Sequence, residues 1–382
     1  MSDGVNVIAS LVDERSVLVC CGSGGVGKTT TSAALALAAA ERGRRACVVT
    51  IDPARRLADA LGEVGVADEP HRVEGPWPGE LYAVMLDAKG TFDRLVRQNA
   101  RDAEQAERIL GNRLYRNLVG ALSGTQEYMA TEKLFELHEE ADFDLVVVDT
   151  PPTHNALDFL DAPRRLTGFL DNRLFRLLLT PGKAYLRALS VATQVLLRTI
   201  ARVAGSEIVD DTVAFFQAFE GMESGFRERA ARVERLLAEQ ATAFVLVSAP
   251  RRDSIEEATF LAAKLASSHH DLDALVVNRV QPYFGEPVVP AGGLDEAGRG
   301  AGRGDDARRP WDELVANLAE LDALARRESD LIDELATKVA PAPVVRVPAL
   351  TVDVHDLEGL HLVVRHLLGG ELPLPRDDGG DR

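Results

Sequence analysis

Short, largely apolar runs recur along the chain, and the segments between them carry apolar residues at helical spacing. Residues 16–21 (SVLVCC), 45–51 (RACVVTI) and 144–149 (DLVVVD) are the clearest of these runs. Continuous apolar runs of this length predict strands that are buried on both faces. Since helical segments separate them, we expect a doubly wound, mostly parallel sheet and an α/β fold class.

Further runs and helical segments extend the same pattern. Additional strands are predicted at residues 81–86 (LYAVML), 243–248 (AFVLVS), 273–278 (DALVVN) and 344–348 (VVRVP). Helices are predicted from Lys28 to Arg42, over residues 91–141 with breaks at Gly111 and Gly124, and over residues 311–338.

The whole chain, residues 1–382, is predicted to form one domain with a helical insertion at residues 155–240, where no strand pattern occurs. Leucines recur in this insertion at helical spacing, as at Leu166, Leu170 and Leu177. Two interpretations stay open, namely ordinary packing of amphipathic helices onto the sheet, or an apolar surface for a partner or cargo.

Two other segments lack the apolar content that a packed core requires. Residues 284–309 are rich in glycine, proline and charged residues, so we predict a disordered loop there. Residues 373–382 are predicted to form a flexible tail.

The charge balance and the termini restrict the partners of the protein. A formal net charge of −17 repels nucleic acid and anionic lipid, so neither is expected to bind. The N-terminus lacks the basic start and apolar centre of a signal peptide, and no apolar run is long enough to span a bilayer. We therefore expect a cytoplasmic protein without stable membrane insertion. Its three cysteines lie in predicted strands without any CxxC pair, which favours buried thiols over a zinc site.

A glycine-rich turn joins the first predicted strand to the first predicted helix. It matches the phosphate-loop pattern GxxxxGK[ST] with Gly22, Ser23, Gly24, Gly25, Val26, Gly27, Lys28 and Thr29, and Thr30 follows. Glycines allow successive backbone N–H groups to point at phosphate oxygens, and the helix N-terminus favours an anion. Lys28 is expected to contact the β- and γ-phosphates of ATP, and the Thr29 hydroxyl to ligate Mg²⁺.

Two acidic residues follow predicted strands at the edge where ligands of open α/β sheets bind. Asp149 ends the run at 144–149, which is the expected place for the carboxylate that holds Mg²⁺. Asp52 follows the second strand in the same way. Because ligand groups collect at the carboxyl ends of parallel strands, Asp52 is expected near the γ-phosphate, where it can position a water.

Three segments taken together resemble a known family, the ArsA-like ATPases. That family includes the arsenite-pump ATPase and the ATPase that delivers tail-anchored membrane proteins. The segments are residues 22–31 (GSGGVGKTTT), 50–62 (TIDPARRLADALG) and 147–160 (VVDTPPTHNALDFL). The resemblance is closest to the actinobacterial branch and continues through residues 248–265, 276–280 and 347–360.

The resemblance implies a P-loop NTPase fold of the deviant Walker A type and Mg²⁺-dependent ATP hydrolysis by a dimer. It also implies that nucleotide state is coupled to a helical surface for a hydrophobic protein client. By the same resemblance, Asp52 would orient the hydrolytic water, Asn278 would hydrogen-bond adenine, and the loop at Pro348 would cover the base.

The sequence departs from the family pattern at three positions. Ser23 stands where the family has a lysine that reaches the other protomer's nucleotide, Arg55 stands where it has a histidine, and His154 stands where it has a glycine. Either Arg55 or Arg56 then replaces the missing charge, or a partner supplies it. The dimer is therefore expected to be a homodimer or a heterodimer with a paralogous ATPase.

Two alternative functions stay open beside this one. A positioning ATPase like MinD or ParA would favour a C-terminal membrane helix or a basic DNA-binding face. A nucleotide-binding regulatory subunit of a heterodimer would hydrolyse ATP only weakly.

Overall fold

The computed structural model describes residues 3–52, 56–62, 67–113, 115, 125–151, 158–172, 214, 215, 217–284 and 308–369. The predictions for most of the helical insertion (173–213), most of the disordered loop (285–307) and the tail (373–382) lie outside these residues. So do residues 53–55 and 152–157, which belong to two of the segments that resemble the family.

The described strands and helices alternate along most of the chain. The strands are β1 (Val17–Gly22), β2 (Arg45–Thr50), β3 (His71–Val73), β4 (Glu80–Met85), β5 (Leu145–Asp149), β6 (Thr242–Ser248), β7 (Ala274–Val280) and β8 (Val344–Pro348). The α-helices are α1 (Asp3–Glu14), α2 (Lys28–Glu41), α3 (Arg56–Leu61), α4 (Ala88–Asn99), α5 (Ala103–Leu110), α6 (Thr125–Phe135), α7 (Asp158–Leu170), α8 (Glu223–Ala238), α9 (Arg252–Ser267), α10 (Arg308–Val339) and α11 (Leu357–Leu367), and a short π-helix, Glu136–Glu140, continues α6.

The described strands form one eight-stranded sheet in the order β3-β4-β2-β5-β1-β6-β7-β8. Every neighbouring pair is parallel except β3 and β4. The predicted α/β class with a mostly parallel, doubly wound sheet is confirmed. Because β1, β2 and β5 are parallel neighbours, their carboxyl ends lie side by side, and Asp149 stands opposite both Cys20 and Thr50.

Alternating residues of the strands face two different hydrophobic layers. Leu18 and Cys20 pack with α1, α2, α3 and α11 on one face. Val19 and Cys21 pack with α6, α7, α8, α9 and α10 on the other. All three cysteines are buried, as predicted. A third cluster joins α4 and α5 to α6, α7 and α8, so the described ends of the predicted insertion pack against the body of the protein.

Several boundaries differ from the sequence prediction. The helix expected from residue 91 begins at Ala88 and is interrupted at residues 100–102, because Asp102 accepts a hydrogen bond from the Gln105 N–H and starts a new helix. The helix expected from residue 311 begins at Arg308, so the predicted loop at 284–309 is too long at its end. Pro310 lies in the first turn of α10, where its missing N–H costs nothing.

Candidate active site

The phosphate-loop sequence lies between the end of β1 and the start of α2. Two of its glycines are required by their surroundings. A side-chain carbon at Gly22 would lie 2.0 Å from the carbonyl oxygen of Val247 on the neighbouring strand β6. Gly27, which caps α2, has a φ of 95° and would place a side-chain carbon 2.1 Å from Nδ2 of Asn278. Close approach and left-handed backbone therefore exclude other residues at both positions.

Lys28 extends back along the loop that precedes it. Its side chain is buried, and Nζ donates a hydrogen bond of 2.8 Å to the carbonyl oxygen of Ser23. Burial lowers the pKa of Lys28, while the nearby carboxylate of Asp149 acts in the opposite direction. A buried ammonium group held inside a loop of glycines is a fixed positive charge for an anionic ligand.

Asp149 is fully buried at the end of β5 and is held by two hydroxyl groups. The Oγ1 atoms of Thr29 and Thr50 each donate a hydrogen bond of 2.8 Å to its Oδ2 atom. Its Oδ1 atom is buried and has no hydrogen-bond partner in the described part of the chain. Burial raises the pKa of Asp149 to about 6, because water no longer stabilises the charged form.

These groups are suited to holding Mg²⁺. The free Oδ1 atom of Asp149 and the hydroxyl of Thr29 lie close together, and both are hard oxygen ligands of the kind that Mg²⁺ prefers. Among the described residues, no group of three His, Cys, Asp or Glu side chains could hold a metal ion. A bound Mg²⁺ would therefore take its other ligands from phosphate oxygens and water, as is usual beside a nucleotide.

Asp52 follows β2, the other central strand beside β5. Its N–H group donates a hydrogen bond of 3.2 Å to Oγ1 of Thr50, which links it to the Asp149 cluster. The negative charge of Asp52 contributes to raising the pKa values of both Lys28 and Asp149. The fold thus gathers Lys28, Thr29, Asp52 and Asp149, which are far apart in sequence, at one edge of the sheet.

Of the two predicted adenine residues, Asn278 contacts the phosphate loop from outside, and Pro348 lies at the end of β8. Nδ2 of Asn278 donates a hydrogen bond of 2.9 Å to the carbonyl oxygen of Val26. Pro348 pairs with Val280 at the end of β8 and lines a cavity of about 480 Å³ together with Tyr283 and residues of α10. Contact of either residue with adenine stays a prediction.

Sequence reasoning did not identify two residues of this site. Thr50 bridges Asp52 and Asp149, and Nη1 of Arg279 donates a hydrogen bond of 3.2 Å to the carbonyl oxygen of Gly25. A threonine at the end of an apolar strand, two residues before an aspartate, was the available signal for Thr50. The sequence contains no comparable signal for Arg279, because the position of this residue depends on an irregularity in the pairing of β7 with β8.

Comparison with known proteins agrees with this geometry. The family model described as anion-transporting ATPase matches residues 15–286. The chain belongs to this family. Its members are P-loop ATPases, so the protein binds and hydrolyses ATP, as the sequence predicts. In the described part of the chain, no helix combines the length and apolar character needed to cross a membrane.

Several known proteins are similar to this chain in sequence over most of their length. The chain is 25% identical to the ATPase ARSA2 of Chlamydomonas reinhardtii, covering 98% of this chain and 91% of that protein. It is 23% identical to a putative arsenical pump-driving ATPase of Aquifex aeolicus, covering 94% and 80%. It is 27% identical to the ATPase get3 of Sclerotinia sclerotiorum, covering 72% and 75%.

Substitution of Gly27 by alanine tests the fit of the phosphate loop. The new methyl group would collide with Asn278 in a backbone conformation that alanine avoids. We expect ATP affinity to fall at least tenfold, which is ~1.4 kcal/mol. Isothermal titration calorimetry with ATP measures this change.

Gly43→Ala is the matched control for Gly27→Ala. Gly43 has a φ of 86° but no atom within 4 Å of the added carbon. It should lose a similar amount of stability to backbone strain, about 1 kcal/mol, and keep its affinity for ATP. Equal affinities of the two variants would contradict the role assigned to the loop geometry.

Proposed function

We propose that the protein is a Mg²⁺-dependent ATPase in which Lys28, Thr29, Asp52 and Asp149 act on the triphosphate. The observation that supports this most directly is the buried Oδ1 atom of Asp149, which lacks a hydrogen-bond partner in the described part of the chain. An unpaired buried carboxylate oxygen is costly unless a cation completes it. Two hydroxyl donors fix the other oxygen, so Oδ1 points in one defined direction.

Each residue has a separate task in the proposed reaction. The backbone amides of the phosphate loop and Lys28 bind the β- and γ-phosphates. Thr29 and Asp149 would hold Mg²⁺, which neutralises charge on the phosphates when bound. Asp52 orients a water molecule for attack on the γ-phosphorus and accepts a proton from it as the new bond forms. The bond between the γ-phosphorus and the β–γ bridging oxygen breaks, so ADP and phosphate are released.

Nucleotide state is proposed to be transmitted to the helices that follow Asp149. In the described residues, α7 begins nine residues after Asp149 and packs against α6 and α8. Its first residue, Asp158, forms an ion pair of 2.5 Å with Lys264 of α9. A shift of the chain after Asp149 would therefore be carried into α7 and α8, which belong to the predicted helical insertion.

A hydrophobic protein client suits this protein better than arsenite. Arsenite would require accessible thiols, whereas Cys20, Cys21 and Cys47 are buried in β1 and β2. Burial raises the pKa of all three thiols, which suppresses the reactive thiolate. The client is proposed to bind through the helical insertion that the sequence predicts at residues 155–240.

The working form is proposed to be a dimer, either of two identical chains or with a paralogous ATPase. Lys28 is the cation that the phosphate loop itself provides, since residue 23 is a buried serine. A second positive charge on the γ-phosphate speeds phosphoryl transfer strongly. A partner chain, Arg55 or Arg56 would supply it.

Substitution of Asp52 by asparagine tests the catalytic proposal. We expect ATP binding within a few-fold of wild type but hydrolysis reduced by about 10²–10⁴-fold, because the general base is lost. Phosphate release and calorimetric titration measure the two quantities separately. Asp59→Asn, a change in helix α3 outside the site, is the matched control and should hydrolyse ATP normally.

Because Asp52→Asn protein is expected to bind ATP without hydrolysing it, this variant allows the ATP-bound state to be studied. With Mg·ATP, hydrogen exchange of α7 and α8 should differ from that seen with ADP or without nucleotide, and analytical ultracentrifugation should detect the dimer. Identical exchange in all three states would contradict coupling. An Asp52→Asn protein that turns over normally would contradict the catalytic role.

A further inference from the structure

An irregularity in strand β7 lies directly beside the phosphate loop. The pairing of β7 with β8 shifts register between Val277 and Val280, so Asn278 and Arg279 bulge from the ladder. Arg279 has a φ of 60°, in the left-handed region. Most residues avoid this region because their Cβ approaches the following carbonyl oxygen, whereas glycine and, less often, asparagine adopt it readily.

Both residues of the bulge donate to the outside of the phosphate loop. Nη1 of Arg279 donates to the carbonyl oxygen of Gly25 at 3.2 Å, and Nδ2 of Asn278 donates to the carbonyl oxygen of Val26 at 2.9 Å. The N–H group of Arg279 donates to Oδ1 of Asn278 at 2.9 Å, which orients the amide. Two consecutive carbonyl groups of the loop are thus held from one side.

The two hydrogen bonds on the outside of the loop also affect the orientation of the N–H groups on its inside. The peptide bonds Gly25–Val26 and Val26–Gly27 are trans, so each N–H points opposite to its C=O. Holding the two carbonyls outward directs the N–H groups of Val26 and Gly27 inward, where phosphate binds. A guanidinium on the Gly25 carbonyl also polarises that peptide, which makes the Val26 N–H a stronger donor.

The arginine has no competing role in the described part of the chain. Its side chain is exposed, and it forms no ion pair there, although the protein carries a net charge of −17. Strained backbone that persists without a stabilising ion pair points to a functional constraint.

We propose that Arg279 is a positioning residue for the nucleotide, acting through the Gly25–Val26 peptide to align the amides that bind the β-phosphate. This inference rests on the proposed ATP site and adds a residue to it. It predicts that Arg279 lowers the stability of the nucleotide-free protein through backbone strain while it raises the affinity for nucleotide.

Substitution of Arg279 by glycine separates these two effects. We expect the melting temperature of the nucleotide-free protein to rise or stay unchanged, since the left-handed backbone is no longer strained. The Kd for both ADP and ATP should rise roughly tenfold, as for loss of a charge-assisted hydrogen bond. KM should rise more than kcat falls, and Arg279→Lys should recover part of the affinity.

His269→Gly is the matched control. His269 also has a left-handed φ, 61°, but lies in the turn after α9. Its melting temperature should rise in the same way while the Kd for ADP stays that of wild type. Scanning fluorimetry and calorimetry with ADP on the full chain provide both readouts.

The possible outcomes distinguish the inference from the proposed function. An Arg279→Gly protein with unchanged Kd, or with only a lower melting temperature, would overturn the positioning role and leave the ATP site intact. Wild-type protein that fails to bind ADP, or a Lys28→Met protein that binds ADP as tightly as wild type, would overturn both.

Discussion

Lys28→Met protein is expected to show no measurable ATP hydrolysis, a loss of at least about 10²–10³-fold. Methionine keeps the length and apolar stem of lysine but removes the ammonium group that Ser23 holds in the loop. The β- and γ-phosphates would then lose the one side-chain cation of the loop and the fixed charge that stabilises the transferring phosphoryl group. Phosphate release under saturating Mg·ATP measures this loss.

The Lys28→Met protein should nevertheless fold normally. Lys28 is buried, and its burial lowers its pKa, so the charged form is destabilised in the nucleotide-free protein. An apolar side chain of similar length removes that cost. Lys89→Met, at an exposed ion pair with Asp93 on α4, is the matched control and should hydrolyse ATP as wild type does. Near-normal turnover by Lys28→Met protein would exclude the proposed mechanism.

The parts of the site that the sequence predicts well are those whose geometry is local. The phosphate loop is contiguous in sequence, and its strand, glycines and helix can each be inferred from neighbouring residues. The apolar runs that become β1, β2 and β5 are equally local signals, because strands buried on both faces are apolar over most of their length and carry polar residues only at their ends. Parallel pairing then fixes which strand ends meet, and so brings Asp52 and Asp149 to one edge.

The parts that the sequence does not predict depend on pairing between distant segments. Thr50 reaches Asp149 only because β2 and β5 are neighbours in a register that places these two residues opposite each other. Arg279 reaches Gly25 only because the pairing of β7 with β8 slips at that point. Neither the register between β2 and β5 nor the bulge in β7 can be recognised from the local sequence.

Weak local patterns explain the missed elements. Strand β3 consists of His71, Arg72 and Val73 and pairs antiparallel at the edge of the sheet, where one buried residue suffices. Such a segment is too short and too polar to show strand periodicity. The roles of Asn278 and Pro348 and the domain boundaries remain predictions of the sequence.

Asp149→Asn protein is expected to lose ATP hydrolysis and to change the pH dependence of folding. Burial raises the pKa of Asp149 to about 6, from an ordinary value of 3.8. As the pH falls, the folded protein therefore takes up this proton before the unfolded chain does. The contribution of Asp149 to stability is greatest below pH 4 and is lost as the pH rises through 6. The total change is about 2–3 kcal/mol.

Comparison of the two proteins isolates this contribution, since other titrating groups are common to both. Without nucleotide and in the presence of EDTA, the free energy of unfolding of wild type relative to Asp149→Asn should fall by about 2–3 kcal/mol between pH 4 and pH 8. Urea denaturation at a series of pH values measures it. A difference that does not vary with pH would show that Asp149 is not a buried, uncompensated carboxylate.

Addition of Mg²⁺ and ADP should reverse the relation between the two proteins at pH 8. A divalent cation at the free Oδ1 atom of Asp149 would replace the missing partner and stabilise the charged form, so the stability of wild type should rise with the logarithm of ligand concentration. Asp149→Asn protein lacks the charge and should gain much less from Mg²⁺ added to ADP. We therefore expect the carboxylate that destabilises the nucleotide-free protein at neutral pH to contribute to binding of the metal–nucleotide complex, because Mg²⁺ would neutralise its charge.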